Sequence, residues 1–464
     1  MKIQGKYSFK VENILGKILL FAFNSSQGTF NQNPLNSLCL LIVTAGNNNQ
    51  FDIKFSPVFV SESTNGAEDA YFASHVSSVL VSKKMGFFLL EAFLPGDARG
   101  IFMSTFSLEN DVVTFNTPEV LAITPRPSAR SDAIKIKKNK ALWISGFSYS
   151  LDSASLYGRI ISINEENGTA TLGLECLIEN YSIPNDENSA WNQAFAWKGI
   201  KAIALDDETV ILSYTRGFRD VDTGDTTEST RALTLNIINE NIDVIQSITI
   251  DESTISDPAF FDVLNTFCLS DGEVILHRVK TEIIIDSLFV SKRSFLSSVD
   301  STGTHSAETE INPYYQTTAR FYAMSPSVVI QHSILANYLI IPHIGSSSES
   351  YDIKIRLSLI KKNGGTFEEK DTVDVPLSQY FISFVDVFDS FYFINMRQGI
   401  FCGINLNSFT AIDSVTQINP FYFTATVDKN TEKLIISDAI EIKNYQDYIT
   451  KMFSYYVSAQ RVKD

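Results

Sequence analysis

Apolar residues along this chain come in short runs, and the runs come in pairs. IKIKKNKALWISGFS (134–148), IKAIALDDETVILSYT (200–215) and VLNTFCLSDGEVILHRV (263–279) share one form: two β-branched or aromatic runs joined by a short polar turn. VLVSKKMGFFLLEAF (79–93), YSFKVENILGKILLFAF (7–23) and YFISFVDVFDSFYFINM (380–396) repeat it, and SVVIQHSILANYLIIPHI (327–344) is a looser version. Such runs, bounded by Asn, Asp, Gly, Ser and Lys, read as strands. No long stretch shows helical periodicity.

A second form follows each first one: an alternating strand, an Asn/Asp/Gly turn, then a more polar strand. SLYGRIISINEENGTATLGL (155–174), RALTLNIINENIDVIQSITI (231–250), IKIRLSLIKKNGGTFEEKDTV (353–373) and GIFMSTFSLENDVVTFNTPEVLAI (100–123) show it. LFVSKRSFLSSVDSTGTHSAETEI (288–311), CLLIVTAGNNNQFDIKFSPVFV (39–60) and IFCGINLNSFTAIDSVTQI (400–418) complete the series. The units repeat about every 60 residues, longer than common propeller repeats.

Units of four antiparallel strands cannot bury both faces alone, and packing them side by side does so. The pattern resembles a β-propeller over nearly the whole chain, in shape and not in motif. There is no WD dipeptide with a GH partner, no kelch double glycine, no FG-GAP calcium box and no Asp-box. The expectation is an all-β fold: a β-propeller of about seven four-stranded antiparallel blades, filling residues 1–442. The blades fall near 7–60, 75–123, 132–178, 199–250, 262–311, 320–375 and 380–418. FYFTATVDKNTEKLIISDAIEI (421–442) is left as an extra hairpin, and 443–464 as a closing or peripheral segment with a short helix. Eight blades or stacked β-sandwiches are the alternatives.

Composition agrees with strands. The 464 residues are 44% hydrophobic and 12% aromatic, with 34 Phe and 18 Tyr, side chains that pack well on pleated faces. A net charge of −16 argues against nucleic acid, because KIKKNK (135–140) is the one clustered basic stretch. Cys39, Cys176, Cys268 and Cys402 are far apart and form no CxxC; each sits in an apolar run, so buried thiols are expected and zinc is not. The segment MKIQGKYSFKVENILGKILLFAF lacks a signal-peptide build, and no apolar run is long enough to span a membrane as a helix. Synthesis in the cytoplasm without a cleaved signal is expected.

Chemistry is sparse. His75, His277, His305, His332 and His343 are scattered, with no HExxH; His277 and His332 lie in strand-like runs and read as core or edge residues. GxSxG, P-loop and GxGxxG are absent. No cofactor is implied. In TRGFRDVDTGDTTEST (215–230), Asp220, Asp222 and Asp225 around Gly224 are the candidate metal ligands, since clustered oxygens suit calcium. The EF-hand order is not matched, and a polar hairpin loop is the competing reading. NYSIPNDENSAWNQAFAWKG (180–199) holds two of the three Trp. In a propeller these two loops open on one face, which makes Trp191, Phe195, Trp197, Arg216, Phe218 and Arg219 the candidate ligand- or partner-binding set. Their rings would stack or anchor and their guanidinium groups would donate.

Phage tail nozzles and adhesins often look like divergent propellers. That resemblance, with the motif-poor repeats, points to a non-enzymatic structural or receptor-binding protein of a virion, a phage tail component. Its partners would be other virion proteins or a host receptor or glycan, within a homo-oligomeric assembly and without membrane insertion. An intracellular propeller scaffold and a carbohydrate-binding or glycosidase-like propeller are the alternatives.

Overall fold

Side chains on a strand alternate between faces, so a run apolar at every position needs both faces covered. In the computed structural model described apolar strands meet that need by packing against strands of neighbouring sheets within the same unit. The structure describes residues 6–14, 17–25, 37–45, 51–60, 71–82, 84–93, 99–109, 112–116, 119–124, 130–148, 153–182, 198–219, 226–255, 263–268, 273–284, 289–300, 302–311, 317–318, 330–331, 335–346, 353–375, 391–395, 401–405, 409–410, 417–418 and 421–441. Every element among them is a strand; among the described residues no helix is long and apolar enough to cross a membrane.

Contacts divide the chain into two compact units. The first carries three sheets. The first sheet is β1 (Lys6–Ile14), β2 (Lys17–Ser25), β3 (Ser37–Ala45) and β4 (Phe51–Val60). The second is β5 (Tyr71–Leu80), β6 (Met85–Phe93), β7 (Arg99–Glu109), β8 (Val112–Phe115) and β9 (Glu119–Thr124). The third is β10 (Arg130–Lys137), β11 (Lys140–Ser148), β12 (Ser153–Ile163), β13 (Ala170–Leu172) and β14 (Cys176–Ser182).

The second unit carries four more. The fourth sheet is β15 (Lys198–Ala204), β16 (Thr209–Arg219), β17 (Thr226–Ile238) and β18 (Asn241–Ile255). The fifth is β19 (Val263–Cys268), β20 (Val274–Ile284), β21 (Phe289–Val299), β22 (Thr309–Ile311) and β23 (Thr317–Thr318). The sixth is β24 (Ile330–Gln331), β25 (Tyr338–Ser346), β26 (Ile353–Asn363) and β27 (Thr366–Asp374). The seventh joins β28 (Phe391–Asn395) and β29 (Phe401–Asn405) to later strands, across a small hairpin of β30 (Phe409–Thr410) and β31 (Gln417–Ile418). Those later strands are β32 (Phe421–Asp428), β33 (Lys433–Ile436) and β34 (Ile440–Glu441).

The first six of these sheets are antiparallel meanders with neighbouring strands following one another along the chain; in the seventh, β29 pairs with β32 past the separate β30–β31 hairpin. In the second, third, fifth and seventh, two short strands share the outermost place: β8 and β9 on β7, β13 and β14 on β12, β22 and β23 on β21, β33 and β34 on β32. Successive antiparallel meanders of this kind are propeller blades, and the fold is an all-β propeller.

β20 shows why its run is apolar throughout. Val274 and Leu276 pack with Ile211, Ala232 and Val299, between the fourth and fifth sheets. Ile275, pointing the other way, packs with Leu339, Ile341, Ile360 and Phe367 of the sixth. In the first unit Trp143, Phe87, Leu89, Ile101, Ile161 and Met103 form the matching core between the second and third sheets.

The last sheet corrects the sequence pairing. Phe401–Asn405 is not the start of an outer hairpin: β29 pairs with β28 on one side and with β32 on the other. The hairpin at 421–436 is therefore the outer half of this sheet and not a partnerless extra. The physical signal was the short stretch MRQG (396–399), polar but for Met396, which leaves the apolar runs FYFIN and FCGIN close together in sequence. Residues 380–390 and the tail 443–464 lie outside the described residues. Cys176 is half-buried on β14, its thiol 4.0 Å from the Leu174 carbonyl, and not in the core as expected.

Turn chemistry places Gly168 at φ +71°, and Asn139, Asn239 and Glu240 also have positive φ. The Gly168 carbonyl accepts hydrogen bonds from Thr105 Oγ1 at 2.9 Å and Asn116 Nδ2 at 3.3 Å, which ties the third sheet to the second. A Cβ there would stand 2.9 Å from Asn116 Nδ2. Gly168→Val is expected to destabilise the protein by about 1–3 kcal/mol in urea unfolding, through a β-branched residue forced to positive φ.

Between the sixth and seventh sheets, Glu432 accepts from the Tyr338 hydroxyl and from Lys361 Nζ at 2.5 Å, with Lys370 Nζ at 3.4 Å. The Lys361 hydrogen bond, then that of Tyr338, holds its carboxyl down at about 2 against an ordinary 4.5. Because the folded value is depressed, the ionised carboxylate stabilises the fold above the unfolded value and loses that role as pH falls through the folded one. The stability gap between wild type and Glu432→Gln, read from urea midpoints, is expected to close as pH drops from 4.5 to about 2.

Candidate functional site

The fourth sheet is unusually long at one end. β15 begins at Lys198, opposite Thr215, while β16 runs on to Arg219 and β17 starts again at Thr226 as its partner. β18 continues alongside to Ile255, opposite Thr226. A three-stranded ribbon of β16, β17 and β18 thus projects past the start of β15. In sequence, Trp197 directly precedes Lys198, the register partner of Thr215.

Alternation along this ribbon sorts its side chains. Thr215 and Gly217 of β16 share a face with their register partners Thr230 and Glu228 of β17. The two threonine hydroxyls lie 3.2 Å apart and are buried. Glu228 is buried to 6% exposure. Gly217 leaves room for it: a Cβ at 217 would meet Glu228 Cγ at 3.2 Å and the Thr227 carbonyl oxygen at 2.5 Å. Arg216, opposite Ser229, points to the other face and is half-buried.

The sequence placed six residues in this site. Arg216, Phe218 and Arg219 are on β16, with register partners Ser229, Thr227 and Thr226. Trp191, Phe195 and Trp197 lie outside the described residues, as do the metal candidates Asp220, Asp222 and Asp225. Among the described residues no cluster of His, Cys, Asp and Glu could hold a metal ion. Sequence reasoning missed Glu228, because TRGFRDVDTGDTTEST was read as one loop. The available signal was period two in TTESTRALTL, where Glu228 is in phase with Thr230, Ala232 and Thr234, three buried positions.

Other charged groups tie sheets together. Arg278 of β20, 5% exposed, donates from Nη1 to Asp251 Oδ2 of β18 at 2.8 Å. It forks onto Glu308 through Nε at 3.0 Å and Nη2 at 2.8 Å, and lies 4.8 Å over the Phe295 ring. His277 is fully buried on the same strand. His305 Nε2 lies 2.9 Å from Ser297 Oγ; burial pushes its pKa down and the Glu308 charge opposes this.

No protein-family model and no curated protein matches the chain. Its fold aligns with an α-L-arabinofuranosidase from Fusarium graminearum at TM-score 0.42 and 10% identity, over 78% of this chain and 94% of that one. It aligns with the Bombyx mori GH32 β-fructofuranosidase at TM-score 0.31 and 9% identity, over 94% and 89%. It also aligns with the SapL1 lectin in complex with α-methyl fucoside, at TM-score 0.33 and 8% identity, over 79% and 96%. Likenesses at this level speak to the fold and single out no one activity. The expectation of a non-enzymatic virion or phage tail protein is corrected: the aligned structures include glycosidases, and the carbohydrate-active alternative is taken up below.

Proposed function

We propose that this protein is a carbohydrate-active β-propeller of seven blades, with its glycan site at the projecting end of the fourth sheet. The observation that carries the reading is a buried carboxylate, Glu228, on the sheet whose first strand directly follows the tryptophan-bearing segment in sequence. Glycoside hydrolysis uses two carboxyl groups flanking the scissile bond, with protonation states set by burial and neighbours. Glu228 supplies one; Asp220, Asp222 and Asp225, on the connection between β16 and β17, are the source of the second. Trp191, Phe195 and Trp197 give flat apolar faces for sugar rings, and Arg219 gives directed donors to hydroxyls; Arg216, on the face opposite Glu228, and Phe218, in phase with Arg216, are left out of the site.

A glycan array followed by calorimetric titration of the bound oligosaccharide tests the binding half. Trp197→Ala and Arg219→Ala should each weaken binding about 10-fold or more, as expected for a stacking ring or a directed donor at a site. The thermal midpoint should be little changed. Absence of any bound glycan, or unaltered affinity in both variants, overturns the placement.

A further inference from the structure

Three turns of the first unit meet at one end of its second and third sheets. They are the β5–β6 turn near Val81–Lys84, the β10–β11 turn near Lys137–Lys140, and the β12–β13 turn near Asn164–Thr169. The Asn139 N–H donates to the Val81 carbonyl at 3.4 Å, and the Ile163 N–H to the Asn139 carbonyl at 2.9 Å. Glu165 ties the turns together. A hydrogen bond from Ser82, with further contributions from Lys138 and Asn139, holds its carboxyl below the usual range, and Lys138 Nζ stands 3.7 Å away.

What these turns present is positive charge. Lys84, Lys135 and Lys138 are exposed and Lys137 is half-buried; the Lys138 side chain is 79% exposed despite its contact with Glu165. Glu165 and Glu166 are the acids of the same turns, so cations outnumber them. This reverses the sign of a chain whose formal charge is −16. Nor is it a habit of the position, because the equivalent β15–β16 turn carries Asp206, Asp207 and Glu208.

We propose that this lysine cluster is a binding surface for an anionic polysaccharide, one bearing carboxylates or sulfates along its length. A single exposed lysine–anion contact is worth little, so a surface of this kind selects repeated charges and not a lone ion. Lysine is a mobile point charge suited to such groups. Single-stranded nucleic acid is the less fitting polyanion, because it needs aromatic stacking platforms and these turns contain no aromatic residue. The choice of a glycan as carrier rests on the carbohydrate reading above; the preference for polyanions does not.

The test is binding of the full chain to polygalacturonate, heparin, neutral arabinan and a single-stranded DNA oligomer across a salt series. Polygalacturonate or heparin should bind with affinity that falls as salt rises. K84E/K135E/K138E should lose about 10-fold or more, since three attractive contacts become repulsive. K201E/K429E/K433E makes the same charge change at exposed lysines elsewhere and should keep the binding. No binding of either acidic polysaccharide, or equal loss in both triple variants, overturns the proposal. Tighter binding of the DNA oligomer than of both polysaccharides overturns the glycan assignment. Loss of neutral-glycan binding in Trp197→Ala reports only on the fourth sheet, so the two readings fail separately.

Discussion

Arg278→Ala should destabilise the protein by about 3 kcal/mol, because it strands two carboxylates that the guanidinium now neutralises between sheets. Asp251 comes from the fourth sheet and Glu308 from the fifth, and Arg278 itself is 5% exposed. Removal takes from both carboxylates the guanidinium they share, and also removes the cation from the Phe295 ring. Arg278→Lys should recover only part of the loss, since an ammonium cannot make the bidentate fork onto Glu308. The triple variant R278M/D251N/E308Q should cost less than Arg278→Ala alone, because no charge is left unpaired. Urea unfolding checks all three; a loss below about 0.5 kcal/mol for Arg278→Ala, the range of an ordinary surface change, contradicts the account.

Trp143→Ala should cost a further class of energy, about 3–5 kcal/mol, by opening a cavity in a well-packed core. Trp143 is 1% exposed and packs with apolar residues from both the second and third sheets. Its indole Nε1 meets no hydrogen-bond partner among the described residues, so the ring contributes there through volume and contact. Trp143→Phe, which keeps most of that volume, should cost about 1 kcal/mol. Near-uniform losses in the two variants would mean that the site collapses around any replacement.

The repeated hairpins were legible because turn chemistry and apolar runs are local. VILHRV reads as a strand whichever sheet it joins, and its Val274, Ile275 and Leu276 face two different sheets in the structure. Pairing in the last sheet was not legible. FCGINLNSFTAIDSVTQI contains a strand and a small separate hairpin, and only the long-range partner of Phe401–Asn405, the strand Phe421–Asp428, tells them apart. The site was legible in part. Arg216 and its neighbours stood out by composition, whereas Glu228 did not, because polar strand residues in a Thr- and Asp-rich stretch look like loop until their alternation is counted. Burial of that carboxylate is a tertiary fact that no local pattern carries.

The account's central claim is that Glu228 serves glycan chemistry at the projecting end of the fourth sheet. Its most direct measurement is release of reducing sugar from the array-identified glycan by wild type and by Glu228→Gln, with affinity for that glycan measured in parallel. The account predicts hydrolysis by the wild type, a loss of about 100-fold or more in the variant, and affinity kept within a few-fold, as for a proton-transferring carboxyl replaced by its isosteric amide. No hydrolysis by the wild type, or equal hydrolysis by both proteins, would contradict it.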